Sequence, residues 1–305
     1  MEWLTGPFEV TFVQRALWGG ILVSLICALA GTWVVLRGMA FFGDAMSHGM
    51  LPGIAFASLL GGNLLIGAAV SAAVMALGVS VVGRSPRLSQ DTSIGLLFVG
   101  MLSLGVIVIS RSQSFAVDLT GFLFGDVLAV RSSDLISLGG ALVLALVISV
   151  LGYRPFVALA FDERKAHTLG LRPRLAHAVL LALLTLAVVA SFHVVGTLLV
   201  FGLLIAPPAA MLPWARRIPV IMAGAAFLGT SATFIGLLLS WHLHTAAGAS
   251  IAATAVLQFL LSTTASGLHR RWGRSTPPAT PTDLPHREPH TEPHREPHME
   301  YGHPS

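Results

Sequence analysis

The stretch Ala40–Gly53, AFFGDAMSHGMLPG, decides how the chain is read, because it sets Asp44 and His48 inside a sequence that otherwise avoids ionisable groups. Four residues apart on a helix, the two share one face. A carboxylate and an imidazole together can hold a divalent cation, and ionisable groups within a membrane mark a functional site by default. The pair also fits a plainer role, an aspartate capping a helix and a core histidine bonded to a backbone carbonyl.

Composition defines the class. Of 305 residues, 54% are hydrophobic and 10% charged, with mean hydropathy +0.79, whereas a soluble domain carries roughly a quarter charged residues. This is the composition of an all-α integral membrane protein, a multi-pass component of the cell membrane in contact with its lipid. The single cysteine, Cys27, lies in an apolar run, so no disulfide frame or thiolate cluster is available and metal ligands must be nitrogen or oxygen. The opening MEWLTGPFEV has two glutamates and no lysine or arginine, the reverse of a signal peptide, so the first apolar segment is expected to be retained as a span.

Apolar runs of roughly 18–25 residues mark spans near 12–36, 45–60, 63–83, 91–110, 133–153, 175–192, 193–213, 218–241 and 247–268. The expectation is about nine transmembrane helices, within a range of eight to ten. Interruptions at Pro52–Gly53 and Pro207–Pro208 predict that two of them are broken or re-entrant, as is tolerated where a helix lines a cavity. Nine spans with the N-terminus outside place thirteen of the eighteen Lys/Arg residues on the cytoplasmic side. Only Arg15, Arg111 and Arg131 fall outside, and two lie too far down the C-terminal tail to weigh. This bias puts the C-terminus in the cytoplasm and accounts for the net charge of +4 without nucleic acid.

Three segments stand apart from the spans. Phe115–Val130 is apolar but interrupted by Asp118, Gly121, Gly125 and Asp126, which suits an external half-helix or an interfacial segment. The charged loop 154–174, RPFVALAFDERKAHTLGLRPR, reads as a short cytoplasmic helix. Asp162 caps it, Glu163 lies in its first turn, Gly170 takes the left-handed end and Pro173 prevents continuation. A rigid helix there suits docking to an ATPase; a solvated connection is the plainer alternative. Residues 269–305 form a Pro/His-rich tail, separate from the membrane domain 1–268. Its PHREPHTEPHREPHME places His286, His290, His294 and His298 at a spacing of four, but proline at the same period forbids a helix. The tail is therefore expected to be extended and disordered, with imidazoles that can bind zinc as an auxiliary site.

The run VVLRGMAFFGDAMSHGMLPGIAFA at 34–57 resembles the signature of the ABC-type zinc/manganese uptake permeases, Arg-x-Met-Ala-Phe-x-Gly-Asp-Ala-x-Ser-His-x-x-Leu-Pro-Gly. Asp91-Thr92-Ser93-Ile94-Gly95, FDERKAHTLGL, VVGTLLVFGLLIAPPAA at 194–210 and GASIAATAVLQFLL at 248–261 are similar in the same order, over roughly residues 12–268. The resemblance implies a homodimeric permease that imports a divalent metal. Metal arrives from an extracytoplasmic binding protein, and a separate ATPase subunit binds the ATP. No cofactor is held permanently and the chain is not itself an enzyme, in keeping with a sequence that has no Walker motif. Asp44 and His48 become metal-pathway residues on this resemblance, and Asp162, Glu163, Ala166 and Gly170 become ATPase-coupling residues. His193 is a second pathway candidate, although the family more often has a neutral polar residue there. Asp91 is read as an N-cap, and His242 and His244 as surface histidines at the outer mouth. The His-rich tail inclines the cargo toward zinc over manganese or iron. A secondary or channel-like metal transporter is the rival reading, but it would be expected to show inverted repeats and several mid-span charges, and neither stands out.

Overall fold

The computed structural model describes residues 6–82, 89–110, 127–161 and 173–272. These are helical with short connections, and no strand occurs among them. The chain divides into a compact unit, Met1–Gly267, and a second unit, Leu268–Ser305.

Among the described residues eleven α-helices follow in order: α1 Thr11–Leu36, α2 Ala40–Gly49, α3 Leu51–Leu59, α4 Leu64–Val82, α5 Gln90–Ser110, α6 Ser132–Leu151, α7 Tyr153–Phe161, α8 Pro173–Val195, α9 Thr197–Met211, α10 Ile218–Leu243 and α11 Ala247–Trp272. Seven of them, α1, α4, α5, α6, α8, α10 and α11, are long and apolar enough to cross a bilayer. The two other expected spans correspond to shorter pieces: 45–60 is divided between α2 and α3, and 193–213 holds α9, which is apolar but has only 15 residues. Apolar side chains of α5, α6 and α11 remain largely exposed, as lipid-facing helices require.

Helix α1 is the hub. It packs on α10, α9, α6 and α8, and small residues permit the close crossings that membrane helices rely on in place of a hydrophobic driving force. At the α10 crossing Ser24 Oγ lies 3.1 Å from Thr233 Oγ1 and donates to Gly20 O at 2.7 Å, so its polar atom is satisfied within the protein. At the α9 crossing the Cα of Gly31 faces the backbone carbonyl of Leu204, so closely that a Cβ on Gly31 would lie 2.9 Å from the carbonyl carbon and closer still to the oxygen. That carbonyl has no intrahelical donor four residues on, because the residue there is Pro208. Beyond α1 the chain turns through Gly38, whose φ of +65° is open to glycine without strain. The Gly38 and Met39 amides donate to Val35 O and Val34 O, a closed corner that aims the chain into α2.

Helices α2 and α3 meet at Met50. Pro52 is the cause of the break: it cannot donate to the carbonyl of His48, and the residue before a proline resists helical geometry. Ser71 Oγ on α4 donates to the Gly49 carbonyl at 2.7 Å and anchors the break. α3 then folds back on α4 as a tight hairpin in which Gly53 and Gly67 pack backbone to backbone. Asn63 Oδ1 caps α4 by accepting from the Leu65 and Ile66 amides.

Two expectations do not hold. Pro207 and Pro208 do not interrupt α9, which stays helical to Met211; the break falls at Gly196, with φ +77°. Asp91 is not the cap of α5. Ser89 Oγ accepts from the Thr92 amide at 3.1 Å, and Asp91 sits exposed in the first turn, where its charge favours the helix dipole. The first part of loop 154–174 belongs to helix α7, which ends at Phe161; the stretch 162–170 read as a short helix lies outside the described residues. In α7 Phe156 and Leu159 are buried, and Trp33 of α1 makes edge contacts with Tyr153 and Phe156 at ring separations of 5.9 and 5.3 Å.

Candidate metal pathway

Helix α2 presents two unlike faces. Phe42, Gly43, Ala45, Met46, Ser47 and Gly49 are buried against neighbouring helices, with Gly43 close under the Leu204 side chain of α9. Phe41, Asp44 and His48 lie at positions i, i+3 and i+7, and so emerge together on one face. The side chains of Asp44 and His48 keep 36% and 27% of their surface accessible. They are neither solvated surface groups nor sealed core groups.

The geometry within the pair is loose. His48 Nε2 stands 3.8 Å from Asp44 Oδ1, too far for a hydrogen bond and close enough that one cation can contact both. Asp44 does not cap α2, whose N-cap is Met39, so the capping role considered for it does not apply. Phe98 of α5 forms a wall beside the pair. Its ring meets the His48 imidazole edge-on at 5.5 Å and 79°, and the Phe41 ring at 6.1 Å and 60°. An aromatic wall excludes water and limits the rotamers open to His48.

Sequence reasoning misses both phenylalanines. Phe41 carries a signal, since it falls three residues before Asp44 on the same helical face; Phe98 carries none, being brought in by the packing of α5 on α2.

His193 belongs to α8, near its C-terminal end, and its side chain lies outside the described residues. Asp162, Glu163, Ala166 and Gly170 also lie outside them, as do His286, His290, His294 and His298 and most of Phe115–Val130. His242 Nδ1 pairs with the Leu238 carbonyl at 2.9 Å in the last turn of α10, and His244 is exposed in left-handed geometry with φ 54°. No group of three or more His, Cys, Asp or Glu side chains is gathered among the described residues. Among those residues Asp44 and His48 therefore supply two ligands of any ion they hold.

A family model described as the ABC 3 transport family matches residues 9–266. This chain belongs to that family. It is 38% identical over 253 residues to the manganese transport system membrane protein MntC of Halalkalibacterium halodurans, covering 83% of this chain and 86% of that one. It is 36% identical over 252 residues to a probable iron transport system membrane protein of Haemophilus influenzae, covering 82% and 92%. Among solved structures it resembles PsaBC from Streptococcus pneumoniae in complex with Fab, with TM-score 0.76 and 32% identity over 86% of this chain and 94% of that one. The chain is thus a multi-pass cell-membrane component of an ABC-type metal uptake system.

Proposed function

We propose that this ABC 3 family chain is the permease of a manganese(II) importer, in which Asp44 and His48 bind the ion during passage. The observation that carries the reading is the single face of α2 on which a carboxylate and an imidazole stand half-exposed beside the Phe98 ring. A buried, fully satisfied pair would be structural; a pair left accessible within an otherwise apolar membrane protein is a ligand set suited to a cation.

Two ligands are too few for a dehydrated ion, and a second copy of this chain facing the first across a two-fold axis would contribute two more. That requirement supports the homodimer. The remaining parts of the assembly rest on the sequence: an ATPase subunit docking at loop 154–174 through Asp162, Glu163, Ala166 and Gly170, and an extracytoplasmic binding protein that delivers the metal. His193 is proposed as a further ligand near the outer end of the path. The N-terminus is proposed to be external and the tail cytoplasmic, with His286, His290, His294 and His298 as an auxiliary zinc site. Manganese is placed before zinc as cargo for two reasons. The relative at 38% identity is named for manganese transport, and the zinc expectation rests on tail imidazoles rather than on the mixed oxygen and nitrogen donors of α2.

The test reconstitutes the chain with its ATPase and binding protein in liposomes and measures uptake of manganese(II), iron(II) and zinc(II) in competition. ATP-dependent manganese uptake that is lost in Asp44→Ala and His48→Ala, at unchanged membrane expression, is the expected result. Uptake without ATP would favour a secondary transporter, and wild-type uptake by the double variant would reduce both residues to structural roles.

A further inference from the structure

The last turn of α1 touches both flanks of the proposed ATPase loop. On the entry side, Trp33 is fully buried with its indole against the edges of Tyr153 and Phe156 of α7. On the exit side, α8 opens at Pro173, and in its first turns His177 Nδ1 lies 2.9 Å from Arg37 Nη1 in a half-buried setting. Trp33 and Arg37 are four apart and so stand one above the other on α1. A guanidinium only donates, so His177 accepts through Nδ1 and carries its proton on Nε2.

Directly beyond Arg37 lies the pathway itself. The closed corner at Gly38 and Met39 leads into α2, and Asp44 is seven residues beyond Arg37. A displacement of α7 and α8 is therefore delivered to the base of the helix that carries Asp44 and His48, through the edge contacts of Trp33 with Tyr153 and Phe156 and the directional hydrogen bond of Arg37 to His177. The edge contacts resist compression but transmit little pull; the hydrogen bond does both, because its geometry is lost when the helices part.

We infer that Arg37 and His177 are positioning residues that link ATPase-driven movement of α7 and α8 to the metal-binding face of α2. The inference rests on the proposed function, which supplies the ATPase and the cargo. It assigns neither residue to the metal. It requires an acceptor at the position of His177 Nδ1, not a histidine as such.

That requirement gives the test. Asn places its Oδ1 where Nδ1 stands, and Gln places its Oε1 near Nε2, so the two uncharged variants differ in which ring nitrogen they imitate. Wild type, His177→Asn, His177→Gln and Arg37→Gln are reconstituted with the ATPase and binding protein. Three quantities are read: manganese(II) transported per ATP hydrolysed, equilibrium manganese(II) binding to the purified complex, and co-purification of the subunits. The expected result is a ratio within about two-fold of wild type for His177→Asn and at least about three-fold lower for His177→Gln and Arg37→Gln, with binding and co-purification unchanged. Wild-type ratios in both glutamine variants, or an equal loss in His177→Asn, would overturn the inference alone. Loss of binding or co-purification in parallel with transport would also overturn it, by making the contact a folding element. Failure of the wild-type complex to show ATP-driven uptake would instead remove the proposed function, and the inference with it.

Discussion

Replacing Gly31 with alanine should destabilise the protein more than its single methyl group suggests. A Cβ there would lie 2.9 Å from the Leu204 carbonyl carbon and nearer still to its oxygen, whereas real Cβ contacts essentially never fall below 3.0 Å. The obstacle is backbone, so no rotamer change relieves it, and α1 and α9 must separate locally by about 1 Å or more. Overpacking of this kind costs typically about 1–3 kcal/mol. Separation also weakens the contact between the Gly31 Cα–H and the Leu204 carbonyl, worth about 0.5–1 kcal/mol. That carbonyl cannot recover an i+4 donor, because Pro208 has no N–H. Less the roughly 0.5–1 kcal/mol by which alanine is the better helix former inside α1, the expected total is about 1–3 kcal/mol, or a fall of roughly 2–12 °C in the Tm of the detergent-purified protein by the scaling for large single domains. Gly139→Ala is the control. No atom lies within 4 Å of a Cβ at that position in α6, and alanine is the better helix former by about 0.5–1 kcal/mol, so its Tm should hold or rise. Equal Tm values for Gly31→Ala and wild type would refute the close-crossing argument.

Gly53→Val should lower both stability and manganese uptake, since a Cβ there collides with Gly67 O and meets Ser71 Cβ at 2.6 Å, which would dislodge the Ser71 anchor of α2; uptake assayed alongside fluorescence-detected size exclusion checks this, and normal values of both would refute it. Gly170→Val, at the position read from the sequence as the left-handed end of the docking helix, should uncouple ATP hydrolysis from transport while manganese binding to the complex survives; unchanged metal-stimulated ATPase activity and uptake would leave the loop as a simple connection. Deleting Pro277–Ser305 should lower the number of zinc ions bound per chain and leave maximal uptake largely intact, as measured by metal analysis and transport; complete loss of transport would give the tail a role in the pathway.

Membrane residence is legible in composition, because a bilayer rejects charge everywhere along a span, and that demand is local to each residue. Asp44 and His48 are legible for the same reason: an ionisable pair in apolar surroundings is conspicuous, and the helical period alone puts both on one face. The break between α2 and α3 is visible too, since proline acts on its own backbone. Pro207 and Pro208 read as a second break and are not one, because the sequence does not reveal that Gly31 brings α1 against the carbonyl freed by Pro208. That accommodation joins two helices far apart in the chain. Phe98 beside His48 and His177 beside Arg37 are likewise settled by tertiary packing alone. Arg37 and His177 are 140 positions apart, and no periodicity within one helix encodes which face of another it will meet.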